Sequence, residues 1–200
     1  VLNDIYTQRE VKKLSAILHK HFKESDESSH GKRKLLMDIP SLKPILLNEN
    51  LLEIVRAIDP TAFITKAIYF DKPQSQNWAV YWHQDVPINV KSKIETDGYT
   101  SWTLKTEINS VCPPEAILHS IFTIRVHLDD TVEQNGALHV IPGSHKQRFT
   151  DAEINTITAN SNPSVCEVKS GGVHLLKPLI LHASPKASTQ KKRRVIHLEF

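Results

Sequence analysis

The sequence predicts an all-β barrel or sandwich core with a helical layer on one side, and three observations carry that expectation. The helical patterns come first, within the first sixty residues. From there on the chain breaks into seven short β-rich runs: AFITKAIYF, WAVYWHQDVPINV, SIFTIRVHLDD, GALHVIP, GVHLLK, LILHAS and RRVIHLEF. The runs are separated by turn formers such as DKP, QNG, PGSH, SGG and KP.

The helical part is legible residue by residue. In TQREVKKLSAILHKHF, Val11, Leu14, Leu18 and Phe22 fall at steps of three and four, and Thr7 with Glu10 three residues on forms a capping pair. The polar stretch KESDESSHGKRK reads as a mobile loop. NENLLEIVRAI reads as a second, shorter helix ending before Asp59-Pro60. Residues 1–60 are thus expected to be mainly helical and 61–200 to form the β core of the same single domain. The insertion from Lys91 to Pro114 is long for a loop, and loops of that length serve as lids, as binding loops or as plain surface excursions.

Composition narrows the class of function. Hydrophobic content of 40% and charged content of 24% are those of an ordinary folded chain. A formal charge of +3 is too small to argue for nucleic acid, and the one dense basic run, Lys191 to Arg194, leads into a strand and reads as its solvated entry. Cys112 and Cys166 follow no metal-binding spacing, so reduced thiols in a cytoplasmic protein are expected. No apolar run reaches the roughly 18 residues of a membrane span, and no basic-then-apolar leader opens the sequence.

A histidine spaced by one residue from a carboxylate occurs three times, at His83/Asp85, His127/Asp129 and His197/Glu199. On a strand such a pair projects from one face, about 6 to 7 Å apart. The spacing alone singles out none of the three; a third ligand from a distant strand would. His182 ends the apolar run PLILHA and is followed by small residues. Two histidines and one carboxylate on one face of ferrous iron leave positions open for a co-substrate and dioxygen. An organic-acid co-substrate also needs a cation, and the planar guanidinium fork of arginine suits a carboxylate. Arg193 lies eleven residues after His182, and a hairpin joining the two strands would return it beside that histidine. Ser184 offers a hydroxyl donor nearby.

The order WHQD, HLDDTVEQNGALHVIPGSHK, GGVHLLKPLILHAS, RRVIHLEF resembles the phytanoyl-CoA dioxygenase family of Fe(II)- and 2-oxoglutarate-dependent oxygenases, from about Phe63 to Phe200. The resemblance implies a double-stranded β-helix, a jelly-roll barrel related to the cupins. It implies His83, Asp85 and His182 as iron ligands and as the catalytic centre, and Arg193 as the anchor of 2-oxoglutarate, with Arg194 as the fallback because a one-residue slip turns a strand side chain to the other face. It further implies hydroxylation of a small organic or lipid-like substrate by dioxygen, with release of succinate and carbon dioxide and with ascorbate as a reductant. An intact Asp85 favours hydroxylation over halogenation. Two departures stand out: Gly172 where family members often carry an acidic residue, and the insertion around Trp102, so acyl-CoA is not carried over as the substrate. The alternatives are a cupin-like metal enzyme that does not use 2-oxoglutarate, against which Arg193 argues, and a non-catalytic binding module on the same fold.

Three further residues are candidates. FTIRVHLDD alternates with Thr123, Arg125, His127 and Asp129 on one face, which would bring Arg125 to the co-substrate or the substrate, or else into an ion pair with Asp129. Trp102 in the insertion and Lys72 before the metal strand are candidate substrate contacts.

Overall fold

The computed structural model describes residues 1–22, 31–72, 77–105 and 107–200. Helix α1 (Gln8–His21) starts at the expected cap: the Thr7 hydroxyl accepts from the Glu10 backbone and the Glu10 carboxylate answers it, while Val11, Leu14 and Leu18 are buried. Two single-turn helices follow, α2 (Leu35–Asp38) and α3 (Lys43–Leu46), and then α4 (Glu49–Ile58), capped by Asn48. The polar stretch expected to be a mobile loop falls mostly outside the described residues.

The strands are β1 (Lys66–Asp71), β2 (Val80–His83), β3 (Ile88–Val90), β4 (Thr100–Lys105), β5 (Ile108–Cys112), β6 (Thr123–His127), β7 (Leu138–Val140), β8 (Ser164–Cys166), β9 (Val173–Leu176), β10 (His182–Ser184) and β11 (Arg194–Glu199), with α5 (Glu115–Ser120) and α6 (Asp151–Ala159) between them. They form two four-stranded sheets, ordered β1-β11-β6-β9 and β2-β10-β7-β8, and a three-stranded sheet β3-β5-β4, all antiparallel. Because the chain steps between the two larger sheets (β1 to β2, β6 to β7, β8 to β9, β9 to β10, β10 to β11), the architecture is that of a double-stranded β-helix.

The clean alternation of FTIRVHL decides which way the first sheet faces. Ile124, Val126 and Leu128, with Ile196 and Leu198 of β11, pack into one buried cluster with Leu14, Leu18, Leu35, Leu42 and Leu51 of the helical layer. Burying each of these side chains contributes about 1.5–3 kcal/mol, so the apolar face is fixed against the helices and the polar face must turn the other way, toward the second sheet.

Three expectations need correction. The segment 91–114 is not a loop: β4 and β5 lie in it and pair with β3. Its turn takes a left-handed Glu107 at φ 61° instead of a glycine, so no turn former marked it in the sequence. His182 and Arg193 are not joined by a hairpin either, since β10 and β11 belong to different sheets. The basic run is only partly solvated: Lys191 and Lys192 are exposed, whereas Arg193 is buried.

Gly172 has a packing reason, because a Cβ there would come within 2.9 Å of Val168 and 3.0 Å of two carbonyl oxygens. Cys112 and Cys166 are both free thiols. Among the described residues no helix is long and apolar enough to cross a membrane.

Candidate metal centre

Strand β2 stops at His83, and this places the aspartate. The Gln84 side chain is buried and clamps the chain as it leaves the strand, donating to the carbonyls of Gln147 (2.8 Å) and Leu179 and accepting from the Phe149 N–H at 2.8 Å. The next peptide is held by the Asp85 N–H donating to the Pro178 carbonyl at 2.9 Å. A continuous strand would have kept His83 and Asp85 apart; here the carboxylate comes to 3.5 Å from His83 Nε2. Strand β10 opens with His182 directly opposite His83 in register, their ring centroids 4.2 Å apart, and His182 Nε2 lies 3.6 Å from the other carboxylate oxygen. One ligand atom from each of the three residues lies within 4.8 Å of the others.

Each histidine is oriented from behind. Nδ1 of His83 lies 2.8 Å from the Tyr81 carbonyl and Nδ1 of His182 2.9 Å from the Ile180 carbonyl. A carbonyl only accepts, so both Nδ1 atoms carry the proton and both Nε2 lone pairs turn toward Asp85, the arrangement that a metal-binding imidazole needs. Burial lowers the His182 imidazole below its usual range and keeps it neutral. Burial works the same way on His83, but the Asp85 carboxylate outweighs it and raises that ring. Desolvation alone would raise the Asp85 carboxyl; the adjoining His83, His182 and His197 rings hold it well below the carboxylate range instead. Two imidazole nitrogens and one ionised carboxylate fit a ferrous ion.

About the far end of β10 lies a second cluster. Arg193 is 6% exposed; one of its terminal nitrogens donates to the Ser184 hydroxyl at 3.2 Å, and its Nε has no partner. The Ser184 hydroxyl donates in turn to the Gly136 carbonyl at 2.9 Å. Lys72 is buried with them, its ammonium donating to the Pro185 carbonyl at 2.8 Å, and burial together with Arg193 pushes it down to about 8. Gly136 leaves space at this point, since a Cβ there would meet Pro185 O at 2.9 Å and Lys72 Nζ at 3.1 Å, and its φ of 84° favours glycine in any case. Arg194 faces away, with Nε and one terminal nitrogen on the Asp129 carboxylate at 2.8 and 2.7 Å. The expected alternative of an Arg125/Asp129 ion pair therefore does not form.

Between the two clusters the polar face of the first sheet carries Arg125, a candidate from the sequence, together with His197, named there only in a histidine–carboxylate pair, and His174, which was not singled out. Register aligns His197, Arg125 and His174 in one row across β11, β6 and β9. All three are buried. Burial and the charge of Arg125 push His174 and His197 down to about 3. These two rings make the fold acid-sensitive. In the unfolded chain they take up protons below about pH 6.5, while in the folded protein they take up none until about pH 3, so stability falls as pH drops through that window. The loss expected by pH 5 is about 2 kcal/mol for each ring. Urea melts of the metal-free protein at pH 7 and pH 5 would measure it, and His174→Gln should remove that ring's share of the difference, about 2 kcal/mol.

The remaining candidates sit elsewhere. Trp102 is on β4 in the third sheet, with the Lys93 ammonium 5.9 Å from its ring centroid. That sheet forms one wall of a cleft of about 800 Å³ against the helical layer, lined by Leu47, Val55, Phe63, Lys66, Val90 and Ile108 among others; neither Trp102 nor the metal triad lines it. Lys72 belongs with Arg193, at the opposite end of β10 from the triad's His182.

Comparison with known proteins gives the family and the fold. The family model described as phytanoyl-CoA dioxygenase (PhyH) matches residues 8–195. No curated protein sequence matches significantly. Among solved structures, HygX from Streptomyces hygroscopicus with nickel and 2-oxoglutarate bound superposes with a TM-score of 0.68 at 17% identity, over 99% of this chain and 80% of that one. EctD from S. alaskensis in its apoform gives 0.72 at 18% identity, over 99% and 70%. SnoK from nogalamycin biosynthesis, a non-heme alpha ketoglutarate dependent carbocyclase, gives 0.71 at 13% identity, over 99% and 77%. At these identities the likeness is one of fold.

Proposed function

We propose that this chain, which belongs to the phytanoyl-CoA dioxygenase family, is a non-haem Fe(II)- and 2-oxoglutarate-dependent oxygenase that hydroxylates a small organic substrate. The observation that carries the reading is the pairing of two sites on β10: a triad of two Nε2 lone pairs and one carboxylate about His182, and next to Ser184 a buried arginine that has no carboxylate partner among the described residues.

His83, Asp85 and His182 would hold the iron. When bound, iron and 2-oxoglutarate supply the oxidising power for attack on an unactivated carbon, with dioxygen consumed and succinate and carbon dioxide released. The chain's own work is placement. The carbonyls of Tyr81 and Ile180 fix the tautomer of both histidines, and the Gln84 clamp sets the position of the carboxylate. Arg193, with the Ser184 hydroxyl, would receive the distal carboxylate of 2-oxoglutarate, and Lys72 beside it would add positive charge.

The test is turnover of 2-oxoglutarate by the iron-loaded protein, followed as succinate formed per dioxygen consumed. Slow uncoupled succinate formation that requires Fe(II) and disappears in His83→Ala is the expected result. Oxygen uptake with no succinate would favour a cupin-like enzyme that does not use 2-oxoglutarate, and binding of neither iron nor 2-oxoglutarate would favour a non-catalytic module.

A further inference from the structure

Among the described residues Arg125 makes no ion pair. It lies at the centre of the first sheet, 7% exposed, with the Phe70 ring centroid 5.6 Å from its Cζ. Its Nε is buried with no hydrogen-bond partner among these residues. Every titratable side chain in its row is a neutral histidine, His174 on one side and His197 on the other. Its charge acts on His83, His182 and Asp85 and also on Arg193, so the guanidinium lies between the metal triad and the Arg193 cluster.

The proposed cofactors do not neutralise it. Ferrous iron, Arg193 and a protonated Lys72 would together carry four positive charges, and Asp85 with the two carboxylates of 2-oxoglutarate three negative ones, so no negative charge is left over for Arg125. Glu199 is taken by Lys66 at 2.7 Å and Asp129 by Arg194, which leaves neither for Arg125. An unpaired buried charge is costly and persists where a ligand completes it.

We propose that Arg125 is a second anion anchor, separate from Arg193, and that it receives the carboxylate or phosphate group of an acidic primary substrate beside the metal. This rests on the oxygenase reading and adds the substrate's charge to it. The same chemistry has a second source, the metal-chelating carboxylate of 2-oxoglutarate itself, and the test separates the two.

Wild type, Arg125→Gln and Arg125→Lys would be compared in two measurements. In the first, each metal-free protein is melted in rising acetate or inorganic phosphate, with acetamide as the neutral control and with 2-oxoglutarate present in a parallel series to fill the Arg193 site. In the second, 2-oxoglutarate is titrated anaerobically into the Fe(II) form. The expected result has four parts. Without added anion, Arg125→Gln melts higher than wild type because an unpaired buried charge has gone. The anions stabilise wild type with about tenfold higher apparent affinity than Arg125→Gln. Arg125→Lys recovers part of that response. The dissociation constant of 2-oxoglutarate changes less than about threefold. A tenfold loss of 2-oxoglutarate affinity in Arg125→Gln would overturn the proposal by giving Arg125 to the co-substrate. An equal anion response in wild type and Arg125→Gln, or a collapse of the melting temperature in both variants, would overturn it by making the arginine structural. If wild-type protein binds no 2-oxoglutarate, the oxygenase reading fails, while the melting series still reports on the anion site.

Discussion

Arg193→Gln is expected to weaken 2-oxoglutarate binding by about a hundredfold or more while leaving Fe(II) affinity within a few fold. The magnitude follows from burial. The guanidinium is 6% exposed, so a carboxylate docked on it is shielded from water, and removing one partner of such a pair costs about 2–5 kcal/mol. Burial and the nearby Arg125 already push the Arg193 guanidinium down to about 10, a sign that the folded protein holds this charge at a cost. The variant should therefore melt no lower than wild type in the absence of 2-oxoglutarate, and should gain less stability than wild type when it is added. Isothermal titration of the metal-loaded protein reads the affinity. Arg194→Gln is the control. Its side chain is engaged by Asp129 at 2.7 and 2.8 Å, so it should lower stability and spare 2-oxoglutarate binding. The opposite pattern would move the anchor to Arg194.

Asp85→Ala is expected to abolish hydroxylation and to lower Fe(II) affinity by more than about a hundredfold. Loss of groups that merely orient a ligand costs 10- to 100-fold in metal affinity, and Asp85 is the only carboxylate in the triad. Its removal also takes away the charge that raises His83, so the neutral histidine pair persists to lower pH in the variant. The fold should survive, since the backbone N–H of residue 85 still donates to the Pro178 carbonyl and Gln84 still clamps the turn. Equilibrium dialysis against Fe(II), with far-ultraviolet circular dichroism as the fold control, distinguishes a lost ligand from a lost structure. Retained wild-type turnover would count against the assignment.

Much of this was legible in the sequence for physical reasons. The α1 capping pair and the alternation of β6 are local signals, and both lead directly to structure. The three site residues His83, Asp85 and His182 could be named from the order of four motifs, and the structure brings their ligand atoms together. How they come together was not legible. The Gln84 clamp depends on carbonyls of residues 147 and 179, which no local pattern reveals, and the exit from the strand at His83 replaces the regular geometry assumed for the pair. The row of His174, Arg125 and His197 depends on the register of three strands distant in sequence, though alternation in GVHLLK and VIHLEF places each histidine opposite its apolar neighbours. The sheet formed by β3, β5 and β4 escaped notice because its turn uses a left-handed glutamate.

The most direct test of the central claim, that the triad and Arg193 together build a site for an Fe(II)·2-oxoglutarate chelate, is anaerobic titration of Fe(II) into the metal-free protein with 2-oxoglutarate present. It is followed by the weak visible charge-transfer band of the chelate, with His182→Ala as control. A band that saturates at one iron per chain in wild type and is missing in the variant is the predicted result. Stoichiometric iron binding with no band would contradict the claim, because the metal would then sit in the triad without the co-substrate that Arg193 is said to anchor.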